Sequence, residues 1–335
     1  MPMPREMSTF EMPRAPEPGP GRDVDGARAV LGDFVARLDA WADGAAGAPA
    51  VELIGLPVDT LRVLNETLGE GEVAAVVDGE PKVRLQETVF AGVWREQRVA
   101  PDGTLASDIL RAAPVPPVVA ERATTTAAPA LRTIADEAGS WPDGVMNLPS
   151  LLHELRDAID RSGPGVPAHV INLTLLPLSS ADAALLDALL EGGSVVILSR
   201  GFGNCRISST AVRSVWRVQY FNTMQTLILN TIEVVDVPAV ALAAREDLDE
   251  TRSRLAALVR WMDERAVDTT PAAAGAAIAP DARLECGVCW TVYDPAQGDP
   301  VWQIPPGTPF DALPPHWTCP TCAAEKSRFL LLGGD

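Results

Sequence analysis

The chain has no run of apolar residues approaching the ~20 that a helix needs to span a bilayer, so it is not expected to lie in a membrane. Basic residues are in the minority. Its 27 Lys and Arg stand against 45 Asp and Glu, a formal net charge of −18. Nonspecific binding to nucleic acid or to an anionic membrane surface rewards the opposite sign, and neither is an expected partner. Folded or basic polypeptides suit this charge better. Histidine is scarce, with His153, His169 and His316 scattered. No Ser-His-Asp ordering, phosphate-binding loop or carboxylate-rich metal motif is present, and no catalytic residues are assigned. Gly201-Phe202-Gly203-Asn204 lacks the full glycine pattern and a following helix, so it reads as a turn. The Pro-rich, polar residues 1–25 lack the apolar segment of a signal peptide and are expected to be disordered. Cysteine is also sparse. Four of the five fall in close pairs, which fits a reducing, cytoplasmic setting and a metal site better than a disulfide framework.

Those pairs are the most informative feature present. Cys286 and Cys289 form one C-x-x-C, Cys319 and Cys322 a second, with 29 residues between the inner two. Two such pairs can place four thiolates tetrahedrally around one ion. That donor set suits iron or zinc and leaves no open position for substrate chemistry. Tyr293, Trp302, Phe310, Trp317 and Phe329 concentrate aromatics in the same stretch. A module this small depends on a metal and a dense core to stay folded. An aromatic shell also keeps water from the ion, and so tunes its potential.

The rest of the chain repeats a pattern. Helical spacing over Ala27–Ala42 is followed by a strand at Val51–Leu56, a helix at Val58–Leu68, and strands at Gly71–Val77 and Lys82–Arg95. Later come a strand at His169–Leu176, a helix at Ser180–Leu190, and strands at Val195–Ser199 and Cys205–Tyr220. Gly71–Gln97 aligns on Gly193–Gln219 without a gap, and nine positions are identical: Gly71/Gly193, Val73/Val195, Gly79/Gly201, Arg84/Arg206, Thr88/Thr210, Val93/Val215, Trp94/Trp216, Arg95/Arg217 and Gln97/Gln219. We read an internal duplication and an α+β fold: two related strand-helix-strand-strand repeats packed about a pseudo-twofold axis, plus a small C-terminal metal module. A further strand (Gln225–Val235) and a long helix (Val240–Glu264) follow the second copy. The expected organisation is a disordered 1–25, a first repeat over 26–100, a connector over 101–130 rich in Pro, Ala and Thr, and a second repeat with its C-terminal helix over 131–265. An Ala/Pro linker over 266–282 and the module over 283–335 complete it.

Trp94-Arg95 and Trp216-Arg217 are candidate partner-binding residues, because Trp and Arg most often anchor interfaces. The alternative is that both tryptophans pack in the repeat core. Arg200 and Phe202, on an expected turn, are further candidates. Cys205 aligns with Val83 and reads as a buried apolar residue. Glu87 and Glu233 read as solvated or ion-paired.

Residues 283–332 resemble a rubredoxin throughout. The resemblance is carried by Cys286-x-x-Cys289, Val292-Tyr293-Asp294-Pro295, Gly298-Asp299-Pro300, Ile304-Pro305-Pro306-Gly307-Thr308-Pro309-Phe310, Leu313-Pro314, Trp317, Cys319-Pro320-x-Cys322 and Phe329. It implies one iron ion cycling between Fe3+ and Fe2+ in the four-cysteine site, with zinc as a substitute. Trp290 and Ala323 stand where that family has glycine. Trp290, with Pro300-Val301-Trp302-Gln303-Ile304, resembles the rubredoxins associated with uptake hydrogenase operons. Trp290, Tyr293, Trp302, Phe310 and Trp317 are the expected shell of the site. Residues 50–265 resemble the HupH/HyaF hydrogenase expression/formation proteins. This rests on Gln86-Glu87-Thr88-Val89-Phe90-Ala91-Gly92-Val93-Trp94-Arg95, Ser199-Arg200-Gly201-Phe202-Gly203-Asn204-Cys205-Arg206-Ile207 and Val215-Trp216-Arg217-Val218-Gln219-Tyr220-Phe221-Asn222. That resemblance implies a maturation factor for [NiFe] uptake hydrogenase. Its expected partners are the iron–sulfur small-subunit precursor and other maturation proteins. A soluble electron carrier with a docking domain, and a zinc-stapled protein-binding scaffold, are the alternatives.

Overall fold

The computed structural model describes residues 22–128, 141–163, 165–200, 204–268, 279–286, 291–302, 304–314, 317–321, 326 and 329–331. The chain divides into two units, Met1–Ala266 and Val267–Asp335.

The larger unit opens with α1 (Val24–Ala42), whose cap Asp23 accepts the Gly26 N–H at 2.9 Å. Its buried Ala27, Leu31, Phe34 and Leu38 form one apolar stripe. Then come β1 (Ala50–Glu52) and α2 (Val58–Leu68), which Gly69 terminates at φ 55°. Strands β2 (Val73–Val77), β3 (Lys82–Glu87), β4 (Val93–Val99) and β5 (Leu105–Ala112) follow, then α3 (Pro117–Thr125). The second half runs through α4 (Leu148–Arg161), β6 (His169–Asn172), α5 (Ser180–Leu190), β7 (Gly192–Ser199), β8 (Asn204–Thr210), β9 (Val215–Phe221) and β10 (Leu227–Val234). A 3-10 turn at Ala239–Ala241 leads to α6 (Arg245–Asp268).

All ten strands form one antiparallel sheet, ordered β1-β5-β4-β3-β2-β7-β8-β9-β10-β6. The order reads alike from either end: an edge strand, then a four-strand meander reaching the centre. At the centre β2 pairs with β7, with Val73 opposite Ser199, Ala75 opposite Ile197 and Val77 opposite Val195. The halves therefore join edge to edge through main-chain hydrogen bonds, instead of stacking separate sheets or helices.

Side chains alternate across the pleat. One face carries Val77, Leu85, Trp94, Ile197, Ile207 and Trp216, covered by Val119 of α3 and by Ala241. The other face is covered in two places. Phe34, Leu64 and Leu255 pack over Val93 and Leu110 at one end, and Leu152, Leu155 and Leu186 over Val215 and Ile232 at the other. Between these helix groups, the sheet residues that face the same way include exposed Arg84 and half-buried Val196, Leu198 and Arg206.

Three expectations change. The stretch 101–130 is not a connector: it contains β5, bonded to β4 and β1, and α3. Its alternating Asp108, Leu110 and Ala112 are buried, and Pro116-Pro117 starts a helix, where a missing N–H costs nothing. The run Lys82–Arg95 is not one strand but a hairpin, turned where Gly92 adopts φ 74°. Cys205–Tyr220 is likewise turned at Ser214, φ 60°.

Asp182, fully buried at the start of α5, ties this half together. Its carboxylate accepts the N–H groups of Met146, Leu148 and Ser179 at 2.8, 3.1 and 3.0 Å, and that of Asn147 at 3.3 Å. Burial alone would raise its pKa, but these donors outweigh burial and hold it well below the usual carboxylate range.

The smaller unit has a three-stranded sheet, ordered β12-β11-β13, from β11 (Leu284–Cys286), β12 (Val292–Tyr293) and β13 (Phe329–Leu331).

Candidate metal centre

Cys286 ends β11 and Cys319 follows the loop after Trp317. They are 0 % and 2 % exposed, inside a cluster with Leu284, Tyr293, Phe310, Leu313, Trp317 and Phe329. The Cys286 N–H donates to the Thr291 carbonyl at 2.8 Å, closing the first knuckle. The hydroxyl of Thr291 bonds that of Thr321 at 2.8 Å. Thr291 lies two residues after Cys289 in sequence and Thr321 one before Cys322, so this bond joins the chain segments that border the two C-x-x-C pairs. Cys289, Cys322, Trp290 and Ala323 lie outside the described residues. Two buried thiols, each followed by a second cysteine three positions on, fit a soft metal held by four thiolates.

The shell is built around Trp317. Its ring centroid lies 5.6 Å from Tyr293, 5.8 Å from Phe310 and 5.1 Å from Phe329, edge-on or tilted, as ring quadrupoles prefer. Tyr293 donates its hydroxyl to the Thr308 carbonyl at 2.8 Å. Trp302, expected in this shell, is 36 % exposed. Asp299 is the residue that sequence reasoning passed over. Only 4 % exposed, it accepts the Trp317 indole N–H at 2.8 Å and the Val301 N–H at 2.9 Å. Its place after Gly298 (φ 68°) is the local signal of such a turn.

In the larger unit Trp94 and Trp216 are each 1 % exposed, which removes them as interface anchors. Each indole N–H reaches a carbonyl, Trp94 to Ala113 at 3.0 Å and Trp216 to Val235 at 3.1 Å. Arg95 pairs with Asp108 and bonds Asn65. Arg217 bonds Asn230 at 2.8 Å and pairs with Asp187 at 3.0 Å. Both arginines thus brace a helix against the sheet. Arg200 is half-buried, its N–H bonded to the Glu72 carbonyl at 3.1 Å. Phe202 lies outside the described residues. Cys205 is buried, and burial pushes its thiol up to about 11.

Glu87 is not solvated, contrary to expectation. It lines a cleft of about 450 Å³ with Glu72, Ser199, Leu242 and Asp247. Burial pushes its carboxyl up to about 7, against the 2.9 Å hydrogen bond from Gly92 N–H and with help from Glu72 and Asp247. A carboxyl raised in the folded state is stabilising in its protonated form, so its contribution is full below the unfolded value of 4.5 and is lost as pH rises through about 7. The loss amounts to roughly 3 kcal/mol by pH 8. Glu87→Gln keeps an acceptor for Gly92 and removes the titration. Relative to the parent, it is expected to gain stability between pH 5 and pH 8 in urea melts; an unchanged difference at the two pH values would refute this.

Among the described residues no helix is long and apolar enough to cross a membrane. The family described as HupH hydrogenase expression protein, C-terminal conserved region, matches residues 24–137 and 145–262. Rubredoxin matches residues 283–329. The hydrogenase expression/formation protein HoxQ of Cupriavidus necator is 45 % identical over 260 residues, 78 % of this chain and 90 % of that one. HoxQ of Azotobacter vinelandii is 43 % identical, over 76 % of this chain and 88 % of that one. The probable rubredoxin HupI of Rhizobium leguminosarum bv. viciae is 66 % identical over 53 residues, 16 % of this chain and 76 % of that one.

Proposed function

This chain belongs to the HupH hydrogenase expression protein family and carries a rubredoxin domain, and from that premise we propose that it matures an uptake [NiFe] hydrogenase in the cytoplasm by holding the iron–sulfur small-subunit precursor. The carrying observation is that both regions lie on one polypeptide, residues 24–262 and 283–329. Fusion keeps a redox module at high local concentration beside whatever the larger unit binds, without tight affinity of its own.

The larger unit is proposed to be two copies of one fold about an axis through Ala75 and Ile197. The central register, the Trp94/Trp216 and Arg95/Arg217 bonds, and the hydrogen bonds of Thr88 and Thr210 to the turns beyond them support this.

Cys286, Cys289, Cys319 and Cys322 would hold one iron, with zinc as its substitute in overexpression. Bound iron supplies one-electron exchange, used in transfer or in protection of cluster iron. Tyr293, Phe310, Trp317 and Phe329 exclude water from Cys286 and Cys319, and Asp299 fixes the Trp317 ring.

The test is a pull-down with the tagged full chain from cells making the hydrogenase. Small-subunit precursor in stoichiometric amount is the expected result. Recovery of a reductase alone would favour an electron carrier and overturn the maturation reading.

A further inference from the structure

The aligned stretches Gly71–Gln97 and Gly193–Gln219 part at two acids. Glu72 and Glu87 align with Ser194 and Ser209. Both serines serve the fold: the Ser194 hydroxyl bonds that of Thr126 at 2.9 Å, and Ser209 accepts the Val195 N–H at 3.0 Å. Both glutamates instead line the cleft of about 450 Å³, which Asp247 in the first turn of α6 also borders. Glu87 has one structural duty, accepting the Gly92 N–H at 2.9 Å through Oε1. A neutral glutamine would perform it as well. The second oxygen, Oε2, has no hydrogen-bond partner among the described residues, although Glu87 is only 8 % exposed. The fold explains an acceptor at this position but not a charge.

The charges that act on the Glu87 carboxylate, those of Glu72 and Asp247, share its sign. Among the described residues no ion pair engages any of the three, and none that lines the cleft is basic. A carboxylate buried to this degree without a counter-charge is unfavourable. The missing counter-charge fits an organic cation better than a metal ion. Among the described residues no group of three His, Cys, Asp or Glu is placed to hold one ion. A guanidinium spreads five donors over a plane, and so serves carboxylates too dispersed for a single ion. The rest of the wall is apolar, from Val73, Val89, Val240 and Leu242, and Leu242 is 40 % exposed. Such a wall suits the methylene stem of an arginine and an apolar neighbour on the same chain. The cleft volume is that of sites that take a small molecule or a few side chains.

We propose that this cleft receives an arginine side chain of a partner polypeptide, its guanidinium bonded to Oε2 of Glu87 and attracted by Glu72 and Asp247, with an apolar neighbour against Val240 and Leu242. Ser194 and Ser209 carry no charge at the aligned places, so the second half has no such site and one chain takes one arginine. The proposal rests on the reading that the larger unit holds a polypeptide.

Two arms test it on the full chain. In the first, purified small-subunit precursor is titrated onto the parent, onto Glu87→Gln and onto Glu72→Gln/Asp247→Asn. In the second, a fluorescein-labelled peptide with one arginine between leucines is titrated onto the same proteins, beside the same peptide with citrulline, an uncharged isostere, in place of the arginine. The expected result is a roughly tenfold or greater weakening of the precursor and of the arginine peptide by Glu87→Gln, the scale of a lost hydrogen bond to a charged group. The double variant weakens both by less, because its two carboxylates are exposed. The citrulline peptide binds the parent no better than the arginine peptide binds Glu87→Gln. Glu87→Gln keeps the acceptor for Gly92 and Asp247→Asn the acceptor for Ala244, and unchanged circular dichroism verifies the fold of each variant. Equal precursor affinity in parent and variants overturns the cleft and leaves the maturation reading intact. A precursor that fails to bind the parent overturns that reading, and the peptide arm alone then decides the cleft. Equal binding of the two peptides to the parent, or no binding of either, overturns it.

Discussion

Replacing Cys319 with serine is expected to strip the C-terminal unit of stoichiometric metal and to leave it unfolded, while the larger unit melts as before. The cysteine is 2 % exposed, and among the described residues its cluster has eight buried members, itself included, two of them metal-ligand candidates. So small a core does not offset the entropy of ordering the chain without help. A structural thiolate site contributes on the order of 10 kcal/mol, and one serine among four ligands removes much of that. Two measurements on the full chain check this: metal content, and limited proteolysis. Parent-like metal content and a resistant C-terminal fragment would show that the aromatic core alone folds the unit. An unaltered pull-down of the precursor by the same variant would further show that binding and metal are separable.

Trp94→Ala and Trp216→Ala are each expected to destabilise the larger unit by about 3–5 kcal/mol, the range for emptying an aromatic from a packed core. The two costs should be similar because the surroundings are. Both rings are 1 % exposed, lie in one continuous cluster, and give their N–H to a carbonyl just beyond the next strand. Trp→Phe at either site retains most of the packing and leaves a carbonyl unbonded, at about 1–2 kcal/mol. Urea denaturation of the full chain, followed by far-ultraviolet circular dichroism, measures both. An alanine variant at either site with parental stability would contradict the core assignment and restore that tryptophan as an interface anchor.

These tryptophans also show what was legible beforehand. That the same residue types recur in both halves could be read directly, and so could α2 and α5, whose residue ranges are set by a proline or serine entrance and an apolar stripe. Whether a repeated Trp-Arg pair faces a partner or a core could not, because alternation along a strand says that Trp94 and Arg95 point oppositely but not which side is covered. The covering elements, α3 and Ala239–Ala241, come from stretches with weak patterns of their own. Turns at Gly92 and Ser214 were hidden by apolar neighbours, Phe90 and Val212, which are buried in the turn itself. Strand β5 was masked by Pro114, Pro116 and Pro117, which belong to the entrance of α3. In the small unit the ligand spacing was plain, whereas the role of Asp299 depends on where the Trp317 ring ends up, a tertiary fact.

The β2–β7 seam has a further consequence. A polypeptide containing only the second half would present β7 as a bare edge, with a row of unpaired N–H and C=O groups and the apolar Val195 and Ile197 uncovered. Because the register at this seam is centred on aligned positions, Ala75 and Ile197, β7 of one such molecule is shaped to zip onto β7 of another. A half-length relative would then reach the same ten-stranded architecture as a homodimer, and under the proposed duplication the present chain amounts to that dimer written into a single gene, with each half free to diverge.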